Sequence, residues 1–387
     1  MNCSVGGMKC SFSCNIPILP LTPGSISEPG PTGPPQDTNS PSSSSCSRLS
    51  SSTPYEAIAT ESLPSAGGNP HQSLLGERYG LLHFTLLHHF ESQLGKAMGL
   101  RPPEAQAMTQ LAVREACTTP FLMDELLALS AAHKSTLPET GHRDYYRIEA
   151  TRLQTRALTQ FNAAKANISE DNCVAAFLFS TFLGQHVLFD TFSSHGDLAA
   201  ILEKFVQCLI LHRGIAAIAG DSWPAIRPHL PPGFGSHSDH QLPTFEAENP
   251  GNECAGLLEL LDRSELSPPS NQACRAAVEA LQRILDSLQA SEASGNRRFI
   301  AVQEWPVRVP KVYIDLLAQR RPEALAILAY YAVLAHRARD FWIVGDAGRF
   351  LIQSITQHLG AYWADWLEWP KCVLAMSGAD GSQEPTT

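Results

Sequence analysis

Between Ala324 and Ala335 the chain carries twelve consecutive residues with no polar side chain beyond the hydroxyls of Tyr330 and Tyr331. A helix that is apolar on every side must be enclosed by other helices or by a membrane. This run is too short for a bilayer, which takes about 20 residues. It therefore predicts the central helix of a soluble α-helical domain. A second run, Cys173 to Phe189, is nearly as apolar but includes Ser180, Thr181, Gly184, Gln185 and His186. It reads as a buried helix rather than a membrane span. Two such helices are the minimum for an α-bundle core. The expected fold is all-α, an irregular multi-helix bundle with a disordered N-terminal region.

Amphipathic segments fill in the rest. Leu82, Leu86, Phe90 and Leu94 make one helical face. Helices follow over Gln106 to Cys117, from Pro120 through Thr136, and from Asp144 through Ala166. Ser169 is expected to cap the helix containing Cys173, with Glu170 and Asp171 suiting its first turn. Leu198 to Gly214 predicts a helix closed by its glycine, Trp223 to Pro250 a Pro/Gly-rich loop, and Gln272 to Ala290 another amphipathic helix. Trp305 to Pro310 reads as an extended Val/Pro connector. Leu257, Leu260 and Leu261 have the spacing of a coactivator-binding helix, and ordinary packing explains them as well. His83, His88, His89, His237 and His240 lack the partners of a metal site and read as solvated or core histidines.

After the central run come Phe341, Trp342, Gly345 and Gly348, then a helix, then Trp363, Trp366 and Trp369 at three-residue spacing. So much aromatic area in one place is either plain core or the wall of a pocket for an apolar ligand. Phe341, Trp342, Gly345 and Trp366 are the candidate ligand-binding residues on the second reading.

Composition narrows the function. A formal net charge of −10 argues against nucleic-acid binding by bulk charge. The start has no apolar core behind a basic stretch, so no signal peptide is read, and the ten cysteines are taken as free thiols in a reducing compartment. There is no nucleophile elbow, HExxH, phosphate loop or CxxC in the sequence. The chain is not read as an enzyme; an all-α enzyme of unknown reaction is the alternative from another class.

At the N-terminus Cys3 and Cys10 stand six residues apart, with Gly6, Gly7 and Lys9 between them. This resembles the closing segment of the binuclear zinc-cluster DNA-binding domain of fungal transcription factors, in which six cysteines hold two zinc ions. The resemblance makes Cys3 and Cys10 metal ligands, two of six, and implies zinc as cofactor only where the remaining ligands exist. The basic run that enters the DNA groove has no counterpart: before Glu77 the basic side chains are Lys9 and Arg48. A truncated start or a natural loss of the finger is the expected account. Residues 15 to 76, rich in Ser and Pro, cannot bury enough apolar area to fold and read as a disordered linker.

Leu86-Leu87-His88-His89-Phe90, Pro120-Phe121-Leu122, the stretch Leu126 to His133, Tyr145-Tyr146, Arg339-Asp340-Phe341-Trp342 and Trp366-Leu367-Glu368-Trp369-Pro370 together resemble the C-terminal effector domain of the same fungal regulators, the sterol-uptake-control type. The organisation expected is a zinc-cluster remnant at 1–14, the linker at 15–76, a helical effector domain at 77–372 and a disordered tail at 373–387. The resemblance implies a nuclear transcription regulator whose helical domain senses a sterol or another hydrophobic metabolite, with DNA as partner if the upstream cluster is present, and with a homodimer as a further expectation. The alternative is a finger-less protein acting by dimerisation or coactivator contact.

Overall fold

A computed structural model describes residues 79–97, 102–138, 141–164, 169, 172–194, 196–230, 251–289 and 296–380. The cluster remnant with Cys3 and Cys10, the 15–76 linker, His237 and His240 lie outside the described residues. Every described element is helical, and no strand occurs among the described residues. In chain order they are α1 (Leu81–His89), followed by a π-helical turn (Phe90–Leu94) and a short end (Gly95–Ala97), α2 (Pro102–Ala116), α3 (Pro120–Thr136), α4 (Arg143–Ala164), α5 (Cys173–Phe192), α6 (Leu198–Ile226), α7 (Ala255–Arg263), α8 (Pro268–Gln289), α9 (Asn296–Arg308), α10 (Lys311–Ala318), α11 (Pro322–Arg337), α12 (Ala347–Leu359) and α13 (Glu368–Asp380).

The first half is built on α3. Pro120 opens it at a position where no intrahelical N–H is needed. Nearly every residue from Phe121 to His133 is buried, because α1, α2, α4 and α5 all pack on this one helix. Its widest contact is with α4, whose Ala150, Leu153, Ala157 and Phe161 are buried and whose Phe161 ring stands edge-on to Phe121 at 5.3 Å. The second half is built on α11, the apolar run of the sequence. Every residue from Glu323 to His336 is buried, and α7, α8, α9, α10, α12 and α13 surround it. Helices α5 and α6 join the halves, and one hydrophobic cluster runs through both. Helix α5 is long and apolar enough to cross a membrane, yet 83% of that window is buried inside the protein.

Several boundaries differ from expectation, each for a physical reason. The stretch from Trp305 is not an extended connector: α9 continues through Pro306 to Arg308. Proline removes one helical N–H, which would have met the carbonyl four residues earlier. That carbonyl, Val302 O, instead accepts the hydroxyl of Tyr331 at 2.9 Å. Gly214 does not close α6, which runs on to Ile226 across Pro224; a mid-helix glycine costs only about 1 kcal/mol. Helix α6 begins at an Asp197 cap, whose carboxylate accepts the Ala200 N–H at 2.9 Å. Ser169 does not cap α5, which starts at Cys173; its N–H donates to the Asn172 side chain at 2.8 Å. Trp223 to Ile226 is the end of α6, Arg227–His229 is a 3-10 turn, and residues 231–250 lie outside the described set. Leu257, Leu260 and Leu261 are buried, so the face that would make a coactivator helix is spent on α8 and α11. Helix α13 runs to Asp380, past residue 372, with Val373 and Leu374 packed on the core.

Candidate functional site

The described site that stands out is a polar seam inside the first half. Helix α1 lays His89 against α3, and the π-helical turn that follows points Phe90 at α5. The His89 Nε2 and His133 Nδ1 atoms are 3.0 Å apart. One ring donates this hydrogen bond and the other accepts it, which requires at least one of them to be neutral. Burial and the proximity of His133 and Lys134 bring His89 down to about 4. Burial and Lys134 bring His133 down to about 4 as well. Both imidazoles are therefore uncharged near neutrality.

The turn after α11 reaches across from the second half and seats Trp342 on this pair. Its ring centroid lies 4.8 Å from that of His133 and 4.9 Å from that of Phe189 on α5. The Phe90 ring stands edge-on to Phe182 at 5.6 Å. Five buried polar atoms in these elements have no hydrogen-bond partner: His83 Nε2, Glu125 Oε2, Ser130 Oγ, Gln185 Oε1 and Trp342 Nε1, and the last three lie on the elements that meet around Trp342. Each such atom costs about 1–3 kcal/mol, and folded proteins leave few of them.

A second polar group stands beside the seam. Glu125 Oε1 and His186 Nδ1 are 3.1 Å apart, with side chains 0% and 2% exposed. Burial raises the Glu125 carboxyl, and the His186 hydrogen bond works against it. Burial pushes His186 down, but Asp190 and Glu125 together outweigh it and lift the imidazole above its ordinary range. Next to Glu125 in the chain, Asp124 accepts from Tyr79 Oη at 2.8 Å, from Arg156 at 2.6 and 2.7 Å, and from Gln160 at 2.6 Å. This network joins α3 to α4 and to the residue that opens the described body.

The residues picked from the sequence have separate ring partners. Trp342 enters the seam. Phe341, next to it, turns the other way and stacks on Phe299 of α9 at 5.1 Å. Gly345 holds the turn with φ +49°. Trp366 lies under Arg263 of α7, whose guanidinium carbon is 5.6 Å from the ring centroid, and its carbonyl accepts the Tyr330 hydroxyl at 3.0 Å. Trp363, Trp366 and Trp369 occupy a 3-10 turn, a turn and α13 rather than one helical face; Trp369 packs on Tyr330 at 5.0 Å. The sequence reading passed over His89, His133, Ser130 and Gln185. The one local signal was polarity within otherwise apolar helices; their convergence depends on three helices and a turn meeting.

No group of three or more His, Cys, Asp or Glu that could hold a metal occurs among the described residues. Burial pushes the Cys254 and Cys274 thiols up to about 12 and raises Cys208 too, so these sulfurs stay protonated and do not act as thiolate ligands.

No protein-family model matches the chain. A curated protein of Gibberella zeae described as a Zn(2)-C6 fungal-type transcription factor is 25% identical over 334 residues, covering 80% of this chain. The chain spans 64% of the length of that relative.

Proposed function

We propose that this chain is the regulatory portion of a nuclear transcription regulator of the fungal zinc-cluster kind, whose helical body takes up a sterol or another hydrophobic metabolite. The observation that carries this reading is the likeness to a Zn(2)-C6 transcription factor along 80% of the chain, far more than the short Cys3–Cys10 segment. The all-helical body supports it, with Phe341, Trp342, Gly345 and Trp366 as the residues proposed to face the ligand. Burial of an apolar ligand would contribute about 25 cal/mol per Å². Cys3 and Cys10 would supply two of the six thiolates that hold the paired zinc ions, and DNA contact would require the other four. A homodimer is part of the proposal.

The test is a reporter assay. The full 387-residue chain, fused to a heterologous DNA-binding domain, is expected to change transcription from that domain's operator when sterol supply changes. An output independent of sterol supply in both directions would sink the sensing reading. The composition favours a second reading, a partner-titrating protein that does not itself touch DNA, because Lys9 and Arg48 are the basic residues before Glu77. A gel shift with purified chain and zinc is expected to show no sequence-specific complex. A specific, zinc-dependent shift would overturn this second reading.

A further inference from the structure

We propose that the seam between α1, α3 and α5, closed by Trp342, is a binding site for a small uncharged molecule carrying a hydroxyl or amide group. The proposal rests on the reading of the helical body as a receiving module and names the chemistry its seam would accept. Residues three, four or seven apart share one helix face. Gln185 thus lies on the α5 stripe between Phe182 and Phe189, whose rings meet Phe90 and Trp342. Ser130 lies one turn before His133, whose ring meets both His89 and Trp342. The unpartnered Ser130 Oγ, Gln185 Oε1 and Trp342 Nε1 atoms are therefore set on faces that close on one another. The π-helical turn at Phe90–Leu94 adds a residue to the roof of the same seam; such turns recur at functional sites.

The chemistry of the guest follows from what the three atoms lack. The indole N–H of Trp342 needs an acceptor, and the amide oxygen of Gln185 needs a donor. One hydroxyl, or one amide, supplies both. Were the Gln185 amide flipped, its N–H and the indole N–H would both need an acceptor, which the oxygen of a hydroxyl or an amide also supplies. A hydrocarbon would leave all three atoms unpaired. An anion would meet two neutral histidines and the nearby Glu125 and Asp190 carboxyls. A cation would meet Lys134, whose charge already bears on His89 and His133. The rings of Phe90, Phe182, Phe189 and Trp342 would hold the apolar remainder of the guest.

The experiment is ligand-observed saturation-transfer NMR on the full chain. The probes are benzyl alcohol and the smaller isopropanol, set against toluene, benzoate and benzylamine. Saturable binding of at least one alcohol is expected, with benzoate and benzylamine silent and toluene at least tenfold weaker than benzyl alcohol. Trp342→Phe keeps an aromatic ring there but removes the N–H with the pyrrole half of the indole; it is expected to weaken alcohol binding about tenfold while leaving toluene binding unchanged or tighter. Ser130→Ala, which deletes one hydroxyl from a helix and leaves the helix intact, is expected to act in the same direction. Toluene binding as tightly as benzyl alcohol, both variants binding as wild type does, or no saturable binding of any probe would each overturn the site. The reporter assay separates the two readings. If Trp342→Phe loses the alcohol and leaves reporter output unchanged, the site stands and the sensing role falls.

Discussion

Asp124 is fully buried and carries its charge on four hydrogen bonds, three of them from Arg156 and Gln160 on α4. A buried carboxylate is tolerable only when its partners replace the water it has lost. Asp124→Ala leaves the partly buried Arg156 guanidinium facing an apolar helix. A loss of about 3 kcal/mol is expected, read from urea denaturation of the full chain. Replacing both partners, as in Asp124→Leu with Arg156→Met, should recover most of that loss, because the cost lies in the uncompensated charge. A double variant no more stable than Asp124→Ala would show that the network holds α3 and α4 in some other way. At this scale the sequence was a poor guide. Asp124 and Glu125 look like ordinary solvated acids in a helix, and nothing local says that both face inward.

Between elements, α11 and α12 pack tightly together, and this approach depends on Gly348. A Cβ built there would lie 2.2 Å from the backbone nitrogen of His336 and 2.5 Å from the carbonyl oxygen of Ala332. Both atoms are backbone, so no side chain can swing aside. Gly348→Ala is expected to cost about 2–3 kcal/mol by forcing the two helices apart. Gly345, in the turn just before α12, is the opposite case. Its surroundings are open, but its φ of +49° is one that residues with a Cβ adopt at a cost. Gly345→Ala is expected to cost about 1 kcal/mol, from backbone strain alone. Urea denaturation of the two variants decides the matter, and the reverse order would contradict this packing. The two glycines were visible in the sequence as a pair beside Trp342. Their different jobs were not, since one is set by a neighbouring helix and the other by a dihedral angle.

Over the whole molecule, buried histidines set the response to acid. Burial lowers His83, His89, His133, His212 and His336 below the ordinary value of 6.5. Each contributes stability that is complete above pH 6.5 and is lost as the pH falls toward the folded-state value, because the unfolded chain takes up the proton first. For a histidine held neutral the slope is about 1.4 kcal/mol per pH unit. The raised His186 and Glu125 act with the opposite sign, adding stability that disappears as the pH rises through their folded-state values. Five groups against two predicts a denaturation midpoint that falls steadily from pH 6.5 to 4. Replacing His89 and His133 together by leucine should flatten that fall. A midpoint independent of pH across this window would mean that the two rings are not held neutral.

What the sequence settled by itself was the class of fold and its central helix. Twelve apolar residues in a row, too few to span a bilayer, must have other helices wrapped around them, so the all-α body and the place of α11 follow from hydrophobic burial. It also set the Pro120 helix start, where proline chemistry acts within one or two residues. Tertiary structure decided everything that needs two distant segments. Val302 accepts the Tyr331 hydroxyl only because Pro306 vacates that carbonyl and α11 passes beside it. His89 and His133 are 44 residues apart along the chain and 3.0 Å apart in space. Hydrophobic periodicity records which face of a helix is buried; it does not record which other face it will meet, and that pairing is what assembles the seam beneath Trp342.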